Sequence, residues 1–143
     1  MNTAETGLAA AITADLLDQG RAIHRATIAL VAAGVVATWI AVATGESPAT
    51  VLPLAAMLAV GATEAILALR VGFDAALFRR LADAPDLAAF DAAMMGLGLL
   101  PAAKAGRPIE ARAAGARRLL VAQGLCLAAA FTLPLLALWS TLP

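Results

Sequence analysis

From Val51 to Leu69 the chain is apolar except for one carboxylate, Glu64, and it then continues through Arg70 to Arg80 without a helix breaker. At 1.5 Å per residue, such a helix is long enough to cross the roughly 30 Å hydrocarbon layer of a bilayer. Residues 26–45 and 119–141 form two further runs of comparable length and carry no Asp, Glu, Lys or Arg. The whole chain is 62% hydrophobic and 14% charged, against about 25% charged for ordinary soluble domains. Water is therefore not its main solvent. The expected fold is an all-α integral membrane protein with three transmembrane helices (residues 26–45, 51–70 and 119–141) and a cytoplasmic helical hairpin between the second and third.

Orientation follows from the positive charges, because Lys and Arg in short flanking segments hold those segments inside. All ten lie before residue 26 or between residues 70 and 118. Residues 46–50 are expected to form a periplasmic loop, with the N-terminus cytoplasmic and the C-terminus periplasmic. Trp39 and Trp139 fall near the outer ends of their spans, where indole rings settle at the headgroup level. The alanine-rich composition, the strong preference for Arg over Lys and the absence of Tyr point to a bacterial inner membrane.

Residues 1–25 place Leu8, Ile12 and Leu16 on one face of a helix, as expected for an amphipathic segment lying on the cytoplasmic membrane surface. In the first span Ala29, Ala33, Ala37 and Ala41 form a ridge of small residues that lets a neighbouring backbone approach. Residues 71–118 contain a near-repeat, Phe73 to Phe78 and Phe90 to Met95, with Asp83 and Pro85 as stop and restart between them. Two short antiparallel helices are predicted, with Phe73, Leu77 and Leu81 facing Leu87, Phe90, Met94 and Leu97. A hairpin of this size buries too little to be stable alone. Phe73, Phe78, Phe90, Met94 and Met95 are accordingly its candidate partner contacts. Arg70–Asp74 and Arg79–Asp83 are spaced as i,i+4 ion pairs, and the aspartates of the repeat read as solvated.

Glu64 is the sharpest single feature. It lies about 9 Å inside the apolar run, counting from Arg70 at 1.5 Å per residue, where a charged side chain needs a partner and turns away from lipid. At matching depth the third span offers Gln123, whose amide both donates and accepts hydrogen bonds. A buried Glu64–Gln123 pair is therefore expected, with helix-to-helix adhesion as its first role and proton or cation relay as the alternative. His24, the only histidine, reads as an interface residue beside Arg25. A metal or haem site would need further ligands that the sequence does not place near it. Cys126 reads as a structural thiol inside the third span. Arg112, Arg117 and Arg118 precede that span and are expected to contact lipid headgroups.

No phosphate-binding glycine loop, nucleophile elbow or carboxylate cluster is present, and the zero formal charge gives no reason to expect nucleic acid. No cofactor or metal is expected, and no enzymatic activity. Two functions remain. The first is a small accessory or scaffold subunit, associating with itself as a homo-oligomer or with a larger membrane-protein complex through its bundle and hairpin. The second is a small oligomeric transporter or proton-coupled channel that uses Glu64.

Overall fold

The computed structural model describes residues 2–140, so the last residue of the expected 119–141 span lies outside the described residues. Five α-helices account for most of the chain. They are α1 (Thr3–Asp18), α2 (Gly20–Ala43), α3 (Pro48–Asp83), α4 (Leu87–Gly96) and α5 (Ile109–Trp139), with a 3₁₀ turn at Ala102–Lys104. Three rods are long and apolar enough to cross a membrane: α1 and α2 taken together, α3, and α5.

The rods pack up, down and up. What positions them is a repeat of seven residues in the buried face of each. In α5 the buried positions are Ile109, Ala116, Gln123, Ala130 and Ala137. In α2 they are Gly20, Thr27, Gly34 and Ala41. In α3 they alternate by threes and fours from Thr50 through Leu54, Met57, Gly61 and Glu64 to Val71, Ala75 and Phe78. That spacing keeps one seam facing its neighbours along a whole rod, which is the condition for left-handed helix packing. The same register runs back through α1 as Thr6, Ala10, Thr13 and Leu17, because Gln19 between α1 and α2 keeps a helical backbone.

The side chains in the seam are small. A Cβ added to Gly61 would collide with Val31 Cγ2, and one added to Gly34 would collide with the end of Met57. These two glycines set the closest approach of α2 and α3. Outward-facing positions carry the large apolar groups, among them Val36, Trp39, Ile66, Leu69, Val121, Leu125 and Phe131. No more than 22% of the apolar window of any rod is buried against the rest of the chain, which leaves most of each window to face lipid. Trp39 and Trp139 are both exposed, at the end of the bundle where Ala41, Leu54 and Ala137 form a small core.

At the opposite end α1 does not lie apart. Ala10, Ala14 and Leu17 pack with Val71, Ala75, Phe78 and Leu81 of α3 and with Ile109 and Ala116 of α5 into a second core. This differs from the sequence reading in three respects. α1 packs Thr6, Ala10, Thr13, Ala14 and Leu17 against the other helices, and the stripe of Leu8, Ile12 and Leu16 expected on the membrane surface faces outward. The segment after Arg70 forms the last turns of α3, continuous with the span as the absence of a helix breaker implied, and not a separate short helix of a hairpin. Its inward face is Val71, Ala75, Phe78 and Leu81, with Phe73 left 40% exposed. The ridge in α2 is also set differently: Ala41 is buried and Ala37 half-buried, whereas Ala29 and Ala33 are exposed.

Loop chemistry accounts for the ends. Ser47 is the N-cap of α3 and Pro48 its first residue, so Pro53 lies in the second turn. Asp86 caps α4 by accepting from the Ala88 and Ala89 N–H groups. Gly98 follows α4 with φ +70°, a conformation that favours glycine.

If Gly61 fixes the α2–α3 distance, Gly61→Ala will destabilise the bundle by about 1–3 kcal/mol, because Val31 is β-branched and cannot swing aside. Val31→Ala in the same chain is expected to restore part of the loss. Gly124→Ala, where no other group lies within 4 Å of the added methyl, is expected to be neutral or slightly stabilising. Thermal unfolding in mild detergent reads all three.

Candidate functional site

The seven-residue seam brings three polar side chains to one level. Glu64 of α3 and Gln123 of α5 are both fully buried, and His24 of α2 is about one third exposed. Gln123 Nε2 donates to Glu64 Oε1 at 2.7 Å and to the Gly20 carbonyl at 2.9 Å. His24 Nδ1 lies 2.9 Å from Glu64 Oε2. Each carboxyl oxygen thus meets one neighbour able to donate. The amide orientation is chemically determined: turned over, its oxygen would face two acceptors. The consequence is that Gln123 Oε1 is buried without a hydrogen bond.

Local sequence makes this cluster possible. Gly20 gives access, since a Cβ there would stand 2.8 Å from Gln123 Oε1 and 2.9 Å from Val71 Cγ1. One turn farther along α2, the buried Thr27 hydroxyl donates to its own helix at the Ile23 carbonyl. The exposed edge of His24 borders a cavity of about 110 Å³ also lined by Asp18, Arg21, Ala68 and Gly72. Toward the tryptophan end, the buried seam is apolar through Gly61, Met57 and Leu54 until Thr50 Oγ1, which lies 3.3 Å from Ser140 Oγ.

Sequence reasoning brought Glu64 and Gln123 together but left His24 at the interface. The signal for His24 was its register: it falls in the seven-residue seam between Gly20 and Thr27. Arg79 pairs differently from the expectation. Its Nη1 lies 2.8 Å and 2.7 Å from the two Asp18 oxygens, tying α1 to α3, in place of an i,i+4 bond to Asp83. Arg70 does approach Asp74, at 3.7 Å. Burial pushes the Asp74 carboxyl up from its ordinary value, and the Arg70 charge opposes this.

Asp91 is not solvated, as the repeat had suggested. It is buried, and its Oδ2 accepts from Arg112 Nη2 and from the Gly106 N–H, both at 2.8 Å. Arg112 Nε donates in turn to the Arg107 carbonyl at 2.9 Å. Arg112 is therefore an internal clasp, which removes it from the set expected at headgroups, while Arg117 and Arg118 are exposed. Of the candidate partner contacts, Phe78 and Met94 are buried within the chain, Phe90 is half-buried, and Phe73 and Met95 are exposed. Leu97, expected on the inner face, is 72% exposed.

Among the described residues no group of three or more His, Cys, Asp and Glu side chains is arranged to hold a metal ion. No family model matches the chain, and no curated protein or solved structure matches it either.

Two predictions test this geometry. A double-mutant cycle between Glu64→Ala and Gln123→Ala, read by unfolding in detergent, is expected to give a coupling of about 1–2 kcal/mol. Independent effects would show that the contact carries no energy. For Asp91, burial raises the carboxyl, but the Arg112 hydrogen bond, the Gly106 N–H and the Arg112 charge together hold it below its ordinary 3.8. A lowered folded value means that the stabilisation is complete above pH 3.8 and is lost as pH falls through that lowered value. Acid below that range will open residues 97–107 to acid-active protease. Asp91→Asn is expected to reproduce the effect at neutral pH with about tenfold faster cleavage.

Proposed function

We propose that the chain is a small membrane-anchored accessory subunit whose three-rod bundle holds a partner-binding helical end at the cytoplasmic surface of a bacterial inner membrane. The observation that carries this reading is the exposed stripe of Leu8, Ile12 and Leu16 on α1, respectively 63%, 60% and 41% exposed, outside the lipid-length part of its rod. Met95 and Leu97 add exposed apolar surface at the same end. Apolar groups gathered outside the bilayer mark an interaction surface. The positive residues gathered at that end support placing it in the cytoplasm, with the N-terminus inside.

The end that bears this surface is well supported from within. The core of Ala10, Leu17, Val71, Phe78 and Ile109 fixes α1 against α3 and α5, and the Arg79–Asp18 contact holds it in rotation. A stripe presented on a rigid rod binds without a large ordering cost. On this reading the cytoplasmic helices act as one unit with the bundle, and α1 is the contact element in addition to the segment from 71 to 118. The partner is a second copy of the chain or another subunit of a membrane complex.

The geometry favours adhesion over ion coupling for Glu64. Both carboxyl oxygens are engaged, the buried face of α3 beyond them is apolar as far as Thr50, and the buried Thr27 hydroxyl of α2 on that side is taken up by the Ile23 carbonyl.

Replacing the stripe by Leu8→Ser, Ile12→Ser and Leu16→Ser is expected to abolish self-association, or co-purification of a stoichiometric partner from the native membrane, while leaving the helical content unchanged. A wild-type protein that runs as a monodisperse monomer and brings down no partner would end the proposal.

A further inference from the structure

A cavity of about 380 Å³ opens between α3, α4, the 3₁₀ turn and the first turns of α5. Its lining is of two kinds. Phe73, Leu77, Leu99 and Leu100 contribute apolar wall, whereas Arg70, Lys104, Arg107 and Arg112 bring four positive charges to the same space, with Asp74 as its one carboxylate. Internal pairing disposes of two of them, since Arg112 is held by Asp91 and Arg70 lies by Asp74. Lys104 and Arg107 make no ion pair among the described residues.

The loop that carries these two cations is built. The Asp91 carboxylate accepts from the Gly106 N–H, and Arg112 Nε donates to the Arg107 carbonyl, so both flanks of Arg107 are tied to the helices behind it. The position of the cavity also matters. Arg70 ends the apolar run of α3 and Leu119 begins that of α5, and both line the cavity. The cavity therefore lies at the boundary of the lipid-length part of the bundle, where the phosphates of a bilayer reside.

We infer that this cavity binds one anionic phospholipid of the surrounding leaflet, its phosphate between Lys104 and Arg107 and part of one acyl chain against Phe73, Leu77 and Leu99. The volume suits a phosphate with a length of chain and leaves the remainder of the lipid in the bilayer. Two uncompensated cations beside an apolar wall match an anionic amphiphile, and neither feature alone selects one. The site differs from the expected arrangement at Arg112, Arg117 and Arg118, because Arg112 here positions the loop and the other two point elsewhere. The inference rests on the membrane-spanning architecture and is independent of the adaptor role.

The test uses the full-length protein in nanodiscs of phosphatidylcholine with a minor fraction of phosphatidylglycerol, followed by native mass spectrometry after gentle release. Wild type is expected to retain one phosphatidylglycerol in preference to phosphatidylcholine. Lys104→Gln with Arg107→Gln is expected to lower that preference roughly 20-fold. Arg118→Gln, exposed and outside the cavity, serves as the control and should retain it. Equal retention of the two lipids by wild type, or undiminished preference in the double variant, would overturn the assignment. Displacement of the lipid by millimolar inorganic phosphate would also overturn it, since the site would then be one for free phosphate. Circular dichroism of every variant in phosphatidylcholine alone establishes that the helical content is retained, so loss of the site is distinguishable from loss of the fold.

Discussion

One amide group joins all three rods at a single level. Gln123 on α5 donates through the same nitrogen to Glu64 on α3 and to the Gly20 carbonyl on α2. In lipid there is little hydrophobic force to draw helices together, so a polar contact that engages three of them restricts both their rotation and their vertical register. A rotation of α5 by one residue position would carry Gln123 toward acyl chains and strip Glu64 of a donor. The energy is modest, and part of it is offset by the unpaired Gln123 Oε1. What the contact supplies is selection among registers that the alanine-rich seam, being nearly uniform, would otherwise leave close in energy.

The seam explains why so many small residues are needed. Ile109, Ala116, Gln123, Ala130 and Ala137 recur every seven residues, and Gly34 and Gly61 admit Met57 and Val31 from the facing rod. Close backbone approach gains dispersion contacts, which in a bilayer replace the apolar burial that drives a soluble core. The seam does not stop at the end of the lipid-length segment. It runs on into Val71, Ala75 and Phe78 on α3 and back through Leu17, Thr13 and Ala10 on α1, so membrane and surface halves share one packing register.

This arrangement also marks what could be read from the sequence. Three apolar rods, the long α3 passing through Arg70, the break at Asp83 and Pro85, and the pairing of Glu64 with Gln123 were all legible, because length, helix-stop chemistry and the cost of a charge in lipid are local properties. The facing of each helix was not. Leu8, Ile12 and Leu16 read as the face lying on the membrane surface, and their spacing did not show that Thr6, Ala10 and Thr13 pack α1 onto the other rods, since small side chains carry little hydrophobic periodicity. His24 read as an interface residue beside Arg25, because only its step of four from Gly20 and three to Thr27 places it in the seam beside Glu64. Asp91 and Arg112 lie twenty-one residues apart, and a non-local ion pair leaves no periodic signal in the chain.

The two polar clusters divide the work of holding a long bundle together. Near the middle of the rods, the Glu64–Gln123 contact is enclosed and shielded from water, while His24 keeps about one third of its side chain exposed. At the charged end, Asp18 with Arg79 is partly exposed and Asp91 with Arg112 is largely buried, and each fixes a peripheral element: α1 in one case and the loop from Gly98 to Arg107 in the other. A peripheral element held by one carboxylate opens locally at lower cost than the bundle it rests on. The loop from Gly98 to Arg107 can therefore open while the level set by Gln123 stays fixed, because the carboxylate that ties it down, Asp91, is not the one that registers the rods.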